Sequence, residues 1–298
     1  MVFRQFGLLI VALFGLAACA TGATPVAGKD TLKVVSTLNV WGSLADQLGG
    51  DRVRVTVVDT GADPHDYEPT AQDARAIAAA DLVLRNGIGY DEWAGRLLDA
   101  NPVEGRAVLD VGSELGLPAD GNPHQWNDPD SVHRVVDAIT ARYIRLRPAD
   151  AGYFTAQHDR FVHAGLSAYD AAVTDIRTRF AGTPVGASES LLVPLSTGLH
   201  LRMLTPAGYL DAEHDEAEPS AADVAATEAQ LTGRQVAVWM YDARSTEPQV
   251  LRLNDLARAA GVPVVSFTEA IPAGDDTFQD WQTGQLTALA TALAQGTS

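Results

Sequence analysis

Val53-Arg54-Val55-Thr56-Val57-Val58-Asp59-Thr60-Gly61-Ala62-Asp63-Pro64-His65-Asp66-Tyr67-Glu68-Pro69-Thr70 opens as an apolar, β-branched run and ends in a Pro-bracketed turn that carries a histidine. Thr70 then stands as an N-cap for a helix over residues 71–80. Strand, ligand-bearing turn and helix in succession point to an α/β fold. Imidazole fixed on such a turn is how a protein presents a preset ligand to a transition metal. A second histidine, in Asn122-Pro123-His124-Gln125-Trp126-Asn127-Asp128-Pro129, has the same Pro-bracketed setting and also opens a helix. The pair is far more specific than either segment alone.

Around this unit the chain alternates strands with helices. Strands over 32–38, 53–58, 82–85 and 107–111 and helices over 40–48, 71–80 and 90–100 make a small α/β domain with a largely parallel sheet. A helix over about 129–146 follows the second histidine turn, and Pro148 breaks it. The stretch from about 149 to 180 carries Phe154, Phe161, Leu166, Tyr169 and Val173 at roughly helical spacing, with Gly165 tolerated inside. Its length and central place make it a connector between two lobes. A second βα set has strands over 184–187, 201–204, 236–241 and 262–267. Its helices fall over 191–199 (against Pro194), 220–231, 246–260 and 280–294. The expected division is a lobe over 32–147, a connecting helix over 148–181 and a lobe over 182–298. Sites in such sheets lie beyond the carboxyl ends of strands. His65, Glu189 and Glu269 all follow predicted strands closely.

The N-terminal segment is expected to be no part of the fold. Arg4, an apolar stretch and Leu16-Ala17-Ala18-Cys19 read as a lipoprotein-type secretory signal over 1–18. Cys19, the one cysteine, would be the lipidated first residue, and residues 19–31 a flexible tether. The chain would then face a periplasm or the cell exterior on a lipid anchor. Its formal charge of −17 argues against nucleic acid as a partner. No second stretch of bilayer length appears, so it is not itself a channel or permease.

These residues carry a resemblance. The chain resembles the cluster A-I solute-binding lipoproteins of ABC importers, which capture zinc or manganese. The likeness rests on both histidine motifs, the central helix, and Phe267-Thr268-Glu269 with Thr277-Phe278-Gln279-Asp280-Trp281. It implies two βα lobes joined by a long rigid backbone helix, with one metal in the interlobe cleft and two ligands from each lobe. His65 and His124 match the first two ligands. Glu189, in Val185-Gly186-Ala187-Ser188-Glu189-Ser190, matches the third, where the family has His or Glu. Glu269 falls at the fourth, where the family most often has Asp; Asp275 and Asp276 nearby are alternatives. Trp126 would wall the site, and Asp128 would either cap the next helix or orient a histidine.

The resemblance further implies a monomer that hands its cargo to an ABC permease driven by an ATPase. Two imidazoles and two carboxylates neutralise a divalent cation. Glu in place of a third His hardens the set, leaning it toward Mn²⁺, with Zn²⁺ close behind and Fe²⁺ allowed. His133, His158 and His163 read as surface groups, His200 as a helix-end cation and His214 as part of a solvated acidic loop. Two other functions compete. A secreted metallohydrolase needs an open coordination position, and the chain has no His-Glu-x-x-His or Gly-x-Ser-x-Gly motif, so no enzyme is expected. An adhesin-like surface protein suits the same fold and anchor.

Overall fold

The computed structural model describes residues 31–58, 67–214, 217–272 and 277–297. The signal and tether before Thr31, Cys19, His65, Asp275 and Asp276 lie outside these residues, as does the side chain of His214.

The first lobe runs β1 (Leu32–Ser36), α1 (Asn39–Gly49), β2 (Val53–Val57), α2 (Ala71–Ala78), β3 (Leu82–Arg85), α3 (Glu92–Ala100), β4 (Ala107–Asp110) and α4 (Val111–Leu115). Then come α5 (Pro129–Leu146), α6 (Ala151–Arg160) and α7 (Ser167–Phe180). The second lobe runs β5 (Pro184–Ala187), α8 (Leu192–Gly198), β6 (Arg202–Met203), α9 (Ala207–His214), α10 (Ala221–Thr232), β7 (Val238–Asp242), α11 (Pro248–Ala260), β8 (Val264–Phe267) and α12 (Phe278–Gly296).

Both sheets are wholly parallel and share one topology, β2-β1-β3-β4 and β6-β5-β7-β8. In each, the strand order reverses between the first and third strands, which opens a crevice at their carboxyl ends. Strand alternation divides the first sheet's side chains between its faces. Val34, Leu82 and Leu84 join the large core, whereas Val35 and Val83 face a smaller one under α2 and α3 with Ile77 and Trp93. The large core continues through Trp126, Tyr143, Tyr169 and Phe278 to Val185 and Trp239 in the second sheet. The two lobes therefore share one apolar interior, which opposes wide hinge bending.

Polar ties reinforce this. Asn39 on α1 exchanges hydrogen bonds with the backbone of Ile271 (2.9 and 3.3 Å), and Ser43 Oγ accepts from Phe278 N at 3.0 Å. Gln47 and Gln279 pair through both amide groups at 3.1 and 2.7 Å.

The start expected at Thr70 is found, while α12 begins two residues before the expected 280. Thr70 and Asp73 form a reciprocal capping box on α2, and Ser220 and Thr277 cap α10 and α12. Pro194 is accommodated because it lies in the first turn of α8, where backbone N–H groups have no helical acceptor. The connector departs from a single helix. A π-helical turn over Phe161–Gly165 separates α6 from α7, with Leu166 N donating to Phe161 O at 2.8 Å. The extra residue tucks Gly165 beneath the Phe161 ring, where an added Cβ would stand 2.9 Å from a ring carbon. The short helices α4 and α9 were not anticipated from the sequence.

Candidate metal centre

His124 sits in a tightly bonded loop ahead of α5. A 3-10 turn over Gln125–Asn127 follows it, and Asn86 Nδ2 donates to Pro123 O at 3.0 Å. The imidazole is packed edge-to-face against Tyr90 and Trp126, with ring centroids 5.8 and 5.2 Å away. Trp126 is fully buried beside the histidine.

The group that orients the ring is Asn122. Its Nδ2 donates to Ser190 O at 2.7 Å, which leaves Oδ1 to accept from both His124 N and His124 Nδ1 at 3.0 Å. Asp128 takes the other role foreseen for it, accepting from Asp130 N and Ser131 Oγ at the start of α5. Asn122 lies inside the motif that marks His124, two residues upstream, where an Asx side chain reaches back to the chain.

Glu269 arrives from the other lobe, two residues past β8. Neighbouring Thr268 is fixed by Gln285, which accepts from its N–H at 2.7 Å, and by the Trp281 indole, which donates to its hydroxyl at 2.8 Å. Glu269 Oε1 stands 3.1 Å from His124 Nε2 and accepts from Tyr90 OH at 2.8 Å. Its Oε2 accepts from the Arg244 guanidinium. Burial alone would raise the Glu269 pKa. The His124 hydrogen bond and charge, the Tyr90 hydroxyl and Arg244 together overcome it and hold the carboxyl at about 2, well below the usual 4.5. Tyr90 moves the opposite way, pushed well above 10 by burial first and then by the charge of Glu269, so its hydroxyl stays protonated and donates.

Asn122 Oδ1 can only accept, so it fixes the ring of His124 through Nδ1 and leaves Nε2 facing Glu269 Oε1. Nε2 is therefore the nitrogen turned toward the second lobe, and it serves as a metal donor in its deprotonated form.

Tyr90 is set by a strained turn. Gly87, Ile88 and Gly89 all have positive φ (74, 54 and 74°), an arrangement that glycine tolerates and isoleucine resists. The buried Asp91 carboxylate secures it, accepting from Gly87 N (2.8 Å), Asn86 N (2.7 Å) and Thr37 Oγ1 (2.6 Å). Burial raises the Asp91 pKa even against these three donors.

Glu189 is half-buried, two residues past β5. The residues after it are tied to the His124 loop: Ser190 O accepts from Asn122, and Leu191 O from Asn127 at 3.0 Å. Among the described residues no group of three His, Cys, Asp or Glu side chains is placed to hold a metal. His124 and Glu269 are brought together as a pair. His133 and His158 instead pair with Asp170 (2.9 Å) and Asp137 (2.7 Å), and His163 and His200 are exposed. Sequence reasoning missed Tyr90, Asn122, Asp91 and Arg244.

The family of periplasmic zinc-uptake complex component A proteins (ZnuA) matches residues 34–292. A manganese-binding lipoprotein, MntA, of Halalkalibacterium halodurans is 29% identical over 167 residues, 53% of this chain and 54% of that protein. The manganese ABC transporter substrate-binding lipoprotein PsaA of Streptococcus pneumoniae is 36% identical over 105 residues, 33% of this chain and 34% of its own length. The matched segments thus span about half, or a third, of these relatives. Two solved structures share the fold over nearly their whole length. The Mn-bound periplasmic metal-binding protein of Candidatus Liberibacter asiaticus superposes with a TM-score of 0.72 at 20% identity, over 87% of this chain and 98% of that one. The periplasmic zinc-binding protein TroA of Treponema pallidum gives 0.71 at 20% identity, over 88% and 99%.

Proposed function

Because the chain belongs to the ZnuA family of periplasmic zinc-uptake components, we propose that it is the solute-binding component of an ABC importer, capturing one divalent transition metal, Mn²⁺ or Zn²⁺. It would be tethered outside the cytoplasm through Cys19 and would deliver the ion to a membrane permease and its ATPase. No helix among the described residues is long and apolar enough to cross a membrane.

One observation carries the reading: a buried His124 nitrogen and a largely buried Glu269 oxygen from different lobes face each other at 3.1 Å. Two donors bound to one tetrahedral zinc at about 2.0–2.1 Å stand about 3.3 Å apart. The two donors thus stand at nearly the spacing that a shared ion requires. His65 and Glu189 are the proposed remaining ligands, the latter on a segment bonded to the His124 loop. The relatives bear the names of binding proteins rather than enzymes, and four protein ligands would leave no open position for activating water. Histidine ligands bind metal only when deprotonated, so affinity falls as pH drops through the histidine range.

The test is metal content and competitive Mn²⁺/Zn²⁺ titration of the chelator-stripped protein beside a His65→Ala/His124→Ala variant. One-to-one binding that weakens by more than about 100-fold in the variant is expected, since even outer-shell partners are worth 10–100-fold. Binding that survives the loss of both histidines would overturn the assignment and favour the adhesin reading.

A further inference from the structure

We propose that Arg244 is a positioning residue that sets metal preference by holding Glu269 to a single donor oxygen. The inference rests on the reading of the cleft as a metal-capture site and adds a determinant of which ion it retains.

The arrangement begins in backbone register. Asp242 on β7 pairs with Phe267 on β8 in the parallel ladder, and Ala243 N donates to Phe267 O at 2.7 Å. Arg244 and Glu269 each lie two residues beyond that pair, so the sheet itself brings them side by side. The Asp242 carboxylate, at 7% exposure, fixes the arginine at both ends: Oδ1 accepts from Arg244 N at 2.8 Å, and Oδ2 contacts Nη2 at 3.2 Å. The same Nη2 donates to Glu269 Oε2.

Glu269 therefore presents its two oxygens unequally. Oε1 points at His124 and Tyr90, where a metal would enter, while Oε2 is committed to Arg244. A guanidinium cannot yield by losing a proton. It yields only by swinging away, which would deprive two largely buried carboxylates of their cation. The favoured loaded state keeps Arg244 in place and takes one oxygen from Glu269. A single oxygen from Glu269 suits the low coordination number of Zn²⁺. Mn²⁺ accepts additional oxygen contacts, and the nearest, Oε2, is withheld. Arg244 thus counters the lean toward manganese that the two-carboxylate donor set gives by itself.

A merely electrostatic role for Arg244 would weaken all divalent cations alike, so the decisive readout is a ratio. Competitive Mn²⁺/Zn²⁺ titration should be run on the chelator-stripped full chain, on Arg244→Ala and on Arg244→Ala/Asp242→Asn. The double variant removes the carboxylate that the single variant would leave without its cation, and thermal melts establish that each is folded. The expected result is a rise of about tenfold or more in affinity for Mn²⁺ relative to Zn²⁺, the scale of one charge-assisted contact. X-ray absorption of bound Mn²⁺ should show an added oxygen neighbour. An unchanged ratio in folded variants, with the parent still binding metal, overturns the role of Arg244 alone. A parent that binds neither ion overturns both this inference and the proposed function.

Discussion

His124 in the first lobe is walled by the rings of Tyr90 and Trp126 and steered by one amide, that of Asn122. Glu269, which it meets from the second lobe, is instead surrounded by a guanidinium, a phenol and the imidazole itself. The sheets beneath them have the same strand order, so the difference lies in the loops. An imidazole can lose its charge and be buried among aromatic rings once it is correctly turned. A carboxylate at 12% exposure keeps its charge only with donors and a cation around it. Orientation is thus the main requirement in one seat, and charge compensation in the other. Tyr90 serves both.

That shared role gives the largest expected effect. Asp91→Ala strands the N–H groups of Asn86 and Gly87 and the Thr37 hydroxyl beneath the Tyr90 turn. Urea melts should show a loss of about 3 kcal/mol, given about 1–3 kcal/mol for each buried group left unpaired. A loss below about 1 kcal/mol would show that packing alone sets the turn.

A smaller effect tests orientation in the first seat. Asn122→Ala removes the acceptor for His124 Nδ1 without touching Glu269. Metal affinity should fall by about 10–100-fold, the usual scale for a partner that orients a ligating histidine. Unaltered affinity by competition titration would mean that the aromatic walls suffice.

The smallest effect tests charge compensation in the second seat. The folded pKa of Glu269 is depressed from 4.5 to about 2, so its contribution is present above 4.5 and is lost as pH falls toward 2. Metal-free Glu269→Gln lacks that contribution at every pH. Its stability should therefore change less than the parent's between pH 4.5 and 2 in denaturant melts. Parallel curves would mean that the carboxylate gains nothing from its neighbours.

Much of this was legible in the chain before folding. Apolar runs at 32–38, 82–85 and 236–241 marked strands because both faces of these parallel sheets are covered. Thr70 marked the start of α2 as its cap, whereas Thr277 caps α12 ahead of the start expected at residue 280. The Pro-bracketed turn marked His124, and Asn122 was within reach in the same motif. The five-residue α4 was not, since one turn of helix has almost no period of its own. The π-helical turn was hidden as well, because Gly165 alone signals only a weak point.

Local chemistry, read along the chain, determined the βα rhythm and the His124 turn, because periodicity, caps and turn residues act over a few positions. His124 and Glu269 were placed in one cleft only by the family resemblance, while the phenol of Tyr90 and the pairing of Arg244 with Glu269 were decided by the tertiary structure alone. They depend on strand register and on two lobes closing over one core, and neither leaves a local trace in the order of residues.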